Sequence, residues 1–147
     1  MKHLTLPAVL IMFCTLVGAV ENNLEDGLMA RGYDVVAYRD QSKAVKGKVG
    51  FTTEHEGVKY RFANIANKAA FEADPKLYVP AYGGWCAYAM SQGDLANIHP
   101  ERFKIIDGRI YLFYDGFWGN TLTKWNADEA ALKPKADAEW KKRLAEK

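Results

Sequence analysis

Phe103-Lys104-Ile105-Ile106-Asp107-Gly108-Arg109-Ile110-Tyr111-Leu112 (residues 103–112) is the stretch that decides the fold class. Asp-Gly between two apolar-rich runs is a strong hairpin signal, because both residues tolerate the positive φ of the turn that matches strand twist. Phe103 to Ile106 and Arg109 to Tyr114 are therefore expected to pair. Upstream, Val58, Tyr60 and Phe62 alternate with Lys59 and Arg61 at period two, and Phe51-Thr52-Thr53 precedes them across His55-Glu56-Gly57. That pattern predicts a second hairpin. Helices are expected around these strands. Asn64 can cap one from about Ile65 to Ala73, which Asp74-Pro75 ends. Gly83-Gly84 is a break before a short helix over Trp85 to Ser91, closed by Gly93, and Thr121 can cap another through Trp125. Lys135 to Glu146 reads as a Lys-rich helix with Pro134 near its first turn. The expected class is α+β: a small single domain with two β-hairpins packed against three or four helices.

The remaining segments read as irregular or extended. Gly32 to Tyr38 has the look of a short, half-buried extended segment. Residues 39–48 and 94–101 read as loops, Tyr78 to Tyr82 as an extended aromatic linker, and 115–120 (DGFWGN) as a Gly-rich aromatic loop. Residues 20–31 read as a loose lead-in.

Composition narrows the function classes. The chain has 147 residues, 49% of them hydrophobic and 26% charged, which is ordinary globular usage. Twenty basic against 18 acidic residues give a formal charge of +2. That balance carries no footprint for nucleic acid or for an anionic membrane surface. There is no CxxC, CxxCH, HExxH, GxSxG, P-loop or GxGxxG motif. Nothing positive in the sequence argues for an enzyme.

The first residues have the layout of a leader. Lys2 and His3 precede an almost wholly apolar run from Leu4 to Val17, and Val17-Gly18-Ala19 supplies the small residues that a signal peptidase reads. Cleavage after Ala19 is expected, and with it a periplasmic or secreted location. It would remove one Lys and no acid, leaving 19 basic and 18 acidic residues, a charge of +1. It would also remove Cys14 and His3, so Cys86, His55 and His99 would remain and an internal disulfide would be impossible. An uncleaved anchor is the alternative reading of the same run. The expected divisions are a signal peptide over 1–19, a lead-in over 20–31, a domain over 32–127 and a helical tail over 128–147.

The order of elements resembles that of YHS-domain proteins, in the stand-alone exported bacterial form. The resemblance rests on Gly32-Tyr33-Asp34-Val35-Val36-Ala37-Tyr38, Tyr60-Arg61-Phe62-Ala63 and Phe71-Glu72-Ala73-Asp74-Pro75-Lys76-Leu77-Tyr78. It continues in Tyr82-Gly83-Gly84-Trp85-Cys86-Ala87-Tyr88-Ala89 and Asp107-Gly108-Arg109-Ile110-Tyr111-Leu112, so it covers residues 32 to about 125. It implies a YHS-like fold and, from the related metal-associated YHS and TRASH domains, metal binding through cysteines. The sequence departs from that cysteine pattern: Ala37, Ala63 and Asn67 stand where thiols would be, and none of them is a soft ligand.

Cys86 is the one thiol left for chemistry. At the start of a helix, free backbone N–H groups favour an anionic sulfur, while crowding by Tyr82, Trp85 and Tyr88 opposes it. Met90 lies four residues on, where a helix would place it on the same face. Thiolate, thioether and imidazole together suit copper, or zinc, so Cys86, Met90, His99 and His55 form the candidate ligand set. The plain alternatives are a buried Cys86 packing as a small hydrophobe, Met90 as core, and solvated histidines. The expected partners are a metal ion or a metal-handling protein, with no nucleic acid and no membrane after leader cleavage.

Two other classes remain open. One is a small-molecule or protein interaction module that uses an aromatic face drawn from Tyr33, Tyr38, Tyr60, Tyr82, Trp85, Tyr88 and Tyr111, with Cys86 structural. The other is a thiol-based redox protein, which needs an exposed and reactive Cys86. Asp34 and Arg61 are expected to form a supporting ion pair.

Overall fold

A computed structural model describes residues 21–146. The expected signal peptide, with Cys14 and His3, lies outside them. Each long hairpin forms around its acidic-Gly turn. β3 (Lys48–His55) pairs antiparallel with β4 (Val58–Phe62), and β5 (His99–Ile106) with β6 (Arg109–Phe113). Glu56-Gly57 and Asp107-Gly108 both take positive φ at their two residues, as a twist-matched two-residue turn requires. The fold class is α+β.

Three expectations for the N-terminal half are corrected. The expected lead-in over 20–31 is not loose where it is described, from Glu21: β1 (Leu24–Glu25) and β2 (Leu28–Met29) close a third hairpin on Asp26-Gly27, and β2 joins β4 in parallel. The first sheet therefore runs β1-β2-β4-β3. Val35 to Tyr38 are not extended but belong to α1 (Val35–Gln41). Asp34 caps it, its Oδ1 accepting the N–H groups of Val36 and Ala37 at 2.9 and 3.0 Å. Four successive residues of this helix are at most 2% exposed, so its first turn shows no polar face from which periodicity could be read. The expected Asp34–Arg61 pair is replaced: Oδ2 accepts from the Ala63 backbone at 2.8 Å and from Asn67 Nδ2 at 2.7 Å.

α2 (Ile65–Ala73) starts at the expected cap, Asn64, whose side chain accepts the Asn67 N–H. α3 (Ala87–Ser91) is shorter than expected, with Cys86 rather than Trp85 at its entry. After β6 comes a short ribbon, β7 (Asp115–Gly116) with β8 (Gly119–Asn120), and then α4 (Thr121–Ala127). Asn120, not Thr121, caps α4; its Oδ1 accepts from Leu122 and Thr123.

α5 (Glu129–Ala145) begins six residues before the expected tail helix and holds Pro134 in its interior. It is part of the domain core. Leu132, Ala136 and Trp140, at i, i+4 and i+8, face the molecule, and the helix packs along α3. The helices thus number five among the described residues, against the three or four expected.

Two cores share β6 as a wall. Ile110 and Leu112 point into the first with Tyr38, Phe62 and Phe71, while Tyr111 and Phe113 point into the second with Tyr82, Met90 and Trp125. Because β6 is buried on both faces, its sequence is apolar without alternation.

The turn Ala81–Gly84 ties the ends of the chain to the middle. Tyr82 and Gly83 there are left-handed. The Asn23 N–H donates to the Gly83 carbonyl at 2.9 Å, and a Cβ on Gly83 would stand 2.8 Å from Asn22 Oδ1 and 3.0 Å from the Trp140 ring. Only glycine admits both the backbone conformation and the approach of the two terminal segments.

Buried phenols set an alkaline limit. Burial, with a smaller push from the Glu56 charge, raises Tyr60 from 10.0 to about 12, and burial raises Tyr38 and Tyr82 further still. Below pH 10 both the folded and the unfolded chain keep these protons, so stability is unaffected. Between pH 10 and 12 the unfolded chain ionises while the folded chain does not, and stability falls. Melting temperature is expected to drop steeply over that window, with a cooperative rise in tyrosinate absorbance at the same pH. Gradual ionisation of every tyrosine near pH 10 in a still-folded chain would contradict this.

Candidate functional site

Cys86 sits where the start of α3, the end of β6 and the entry to α4 meet. Its backbone N–H donates to Ala96 and it makes a single parallel bridge to Leu112. Being the cap residue rather than part of the helix, it has ψ 121°. Its sulfur turns back to accept the Ala89 N–H at 3.5 Å and the Tyr114 N–H at 3.3 Å. Thr121 Oγ1 lies 3.4 Å away and also donates to the Tyr114 carbonyl at 2.8 Å. With that proton committed, the hydroxyl lone pair is free to accept the Cys86 S–H. Each polar atom of the cluster thus has a partner.

The residue as a whole is 0% exposed, yet it borders an open cavity of about 350 Å³. Tyr88, Leu95, Tyr114 and Trp118 supply apolar wall, Thr121 stands beside the thiol, and Lys124 stands at the rim. The Lys124 Nζ lies 5.7 Å from the Tyr88 ring centre and donates to the Trp118 carbonyl at 3.3 Å. Both the cation–π contact and this hydrogen bond hold the ammonium beside the aromatic wall.

The four expected ligands do not gather here. Met90 belongs to the second core with Trp125 and Leu132, whereas Cys86 belongs to the first; the shared helix face fails because Cys86 lies outside the helix. His55 ends β3 and stands edge-on to Phe71, ring centres 5.9 Å apart. His99 opens β5, where its Nδ1 accepts the Glu101 N–H and its ring lines a separate polar cavity of about 410 Å³ with Arg31, Lys46 and Glu25. No group of three or more His, Cys, Asp or Glu is arranged to hold a metal among the described residues. Cys86 alone of the four borders the apolar cavity.

The aromatic set also divides. Tyr38, Tyr60, Tyr82 and Tyr111 are core, and Tyr88 is the member that lines the Cys86 cavity. Sequence reasoning missed Tyr114, Trp118, Thr121 and Lys124. The available signal was Phe117-Trp118 between two glycines, a place where turns ordinarily carry Asn, Asp or Gly.

Comparisons of the chain with protein-family models, with curated proteins and with solved structures return no match.

Cys86→Ala leaves the Tyr114 N–H without its acceptor and opens a void beside Thr121. The expected cost is about 2 kcal/mol in a urea titration. A change within about 0.5 kcal/mol would show that the sulfur holds nothing together.

Proposed function

We propose that the chain is an exported, YHS-like binding domain that holds a small organic molecule in the cavity above Cys86, with the thiol serving as structural floor. The observation that carries this reading is the cavity itself. About 350 Å³ bounded by Tyr88, Tyr114, Trp118 and Leu95, with few polar groups, matches the general build of small-ligand sites. Stacking against the aromatic walls favours a flat, largely apolar compound. Thr121 and Gln92 offer hydrogen bonds, and Lys124 offers a cation at the rim. Export and the YHS relationship rest on the leader and motif residues quoted above.

Native mass spectrometry of protein purified without chelator tests this. The expected result is an organic increment on part of the population, displaced on dilution and reduced in Gln92→Trp, which fills the cavity from an exposed rim position. The soft-metal reading rests on the same thiol bordering the same cavity. One copper or zinc per chain, lost in Cys86→Ser, would replace the organic ligand with that ion. Rapid labelling of the native thiol by iodoacetamide would favour the redox reading instead.

A further inference from the structure

The β7–β8 ribbon ends in a two-residue tip, because Gly116 pairs directly with Gly119. The tip residues are Phe117, 90% exposed, and Trp118, 74% exposed, packed edge to face at 4.9 Å. No fold requirement accounts for two large aromatics on a turn that glycine and asparagine would satisfy. The ribbon beneath them is braced. Arg102 Nε pairs with Asp115 at 2.7 Å, and the Trp118 N–H reaches the Tyr114 hydroxyl. A Cβ on Gly116 would stand 2.5 Å from that hydroxyl, so only glycine lets the ribbon lie against Tyr114. Trp118 also walls the Cys86 cavity, as does Leu95, which is 45% exposed. Trp118 and Leu95 therefore put exposed apolar surface at the cavity mouth, and Phe117 extends it outward through its contact with Trp118.

We propose that this face docks on the interfacial layer of a lipid bilayer, and that the cavity ligand is an amphiphile taken from it. The second half rests on the ligand reading of the cavity given above. Three observations choose the bilayer. The aromatic pair is a convex wedge, which a deformable interface accepts without the matching groove that a rigid protein partner must supply. Trp and Phe are side chains suited to the boundary between headgroups and acyl chains. The cavity lining carries one base, Lys124, and one acid, Asp94, a local balance that fits a zwitterionic headgroup layer. Among the described residues no helix is long and apolar enough to cross a membrane, so the contact is peripheral. It also departs from the expectation of no membrane partner, which rested on net charge; aromatic insertion does not need net charge.

The experiment uses the chain from Val20, which keeps every described residue and drops the apolar leader. Co-sedimentation with phosphatidylcholine vesicles is expected to show binding that persists at about 0.5 M salt, since little of it is screened Coulomb attraction. Phe117→Asp is expected to weaken it about tenfold or more, with a nearly unchanged melting temperature, because the ring is 90% exposed and the Trp118 ring it meets is itself 74% exposed. Phe117 does not line the cavity, so the fluorescent probe 1-anilinonaphthalene-8-sulfonate should still bind this variant. Gln92→Trp should do the reverse, losing the probe and keeping the vesicles. Probe binding without vesicle binding, or equal vesicle binding by Phe117→Asp, would overturn the docking and spare the cavity. Vesicle binding without probe binding supports the docking and removes its ligand half. A concentration-dependent dimer abolished in Phe117→Asp, with no vesicle binding, would assign the face to a second copy and overturn the proposal.

Discussion

Asp34→Ala is expected to lower the free energy of unfolding by about 4 kcal/mol, a large part of a small domain's whole stability. The carboxylate is 0% exposed and accepts four hydrogen bonds. Two come from the first turn of α1, one from the end of β4 and one from Asn67 on α2. A single side chain thus fixes where three elements meet. Its loss leaves buried donors on each of them, and water cannot easily reach a position that is 0% exposed. Asp34→Asn keeps the volume but presents an amide N–H₂ where two donors already point, or surrenders the helix cap if flipped. Its expected cost is roughly 2 kcal/mol or more. Urea titrations followed by circular dichroism measure both. A loss under about 1 kcal/mol for the alanine variant would show that the three elements are held by packing alone.

Trp125→Ala is expected to cost about 4 kcal/mol, by removing the largest fully buried side chain. Its ring lies 5.5 Å from Phe113 and 6.2 Å from Tyr111, and its Nε1 donates to Glu129 at 2.9 Å. Glu129 is also bound by Lys104, whose hydrogen bond holds that carboxyl below its ordinary value. Trp125→Phe, which keeps much of the apolar contact and drops the N–H, should recover more than half of the loss. The comparison separates packing from the hydrogen bond. Equal losses in the two variants would place the energy in the Glu129 contact rather than in the core.

What the sequence disclosed follows from how local each signal is. Asp107-Gly108 and Glu56-Gly57 announce their hairpins because the turn chemistry is contained in two residues. The same signal in Asp26-Gly27 went unread, because its flanking strands are two residues long and too short to show a period. Asn64 was legible as a cap; Asn120 was masked by the neighbouring Thr121, whose hydroxyl serves Tyr114 instead. The start of α1 reads as extended because Val35 to Tyr38, buried all round, look like a buried strand. The early start of α5 was hidden by Pro134, which ordinarily marks a first turn and here lies in the second. Of the site, Cys86 was legible by elimination. Its neighbours were not, because Tyr114, Trp118 and Thr121 reach it through a ribbon whose path depends on the fold around it.

The convergence of Asn22, Gly83 and Trp140 has a consequence for how the molecule closes and comes apart. Contacts between segments so distant in sequence carry a large loop-closure entropy and form late in folding. Until then the second core lacks Leu132, Ala136 and Trp140, and the N-terminal edge has nothing to close against. Detachment of α5 would therefore open the second core and free the N-terminal edge together, as one cooperative unit.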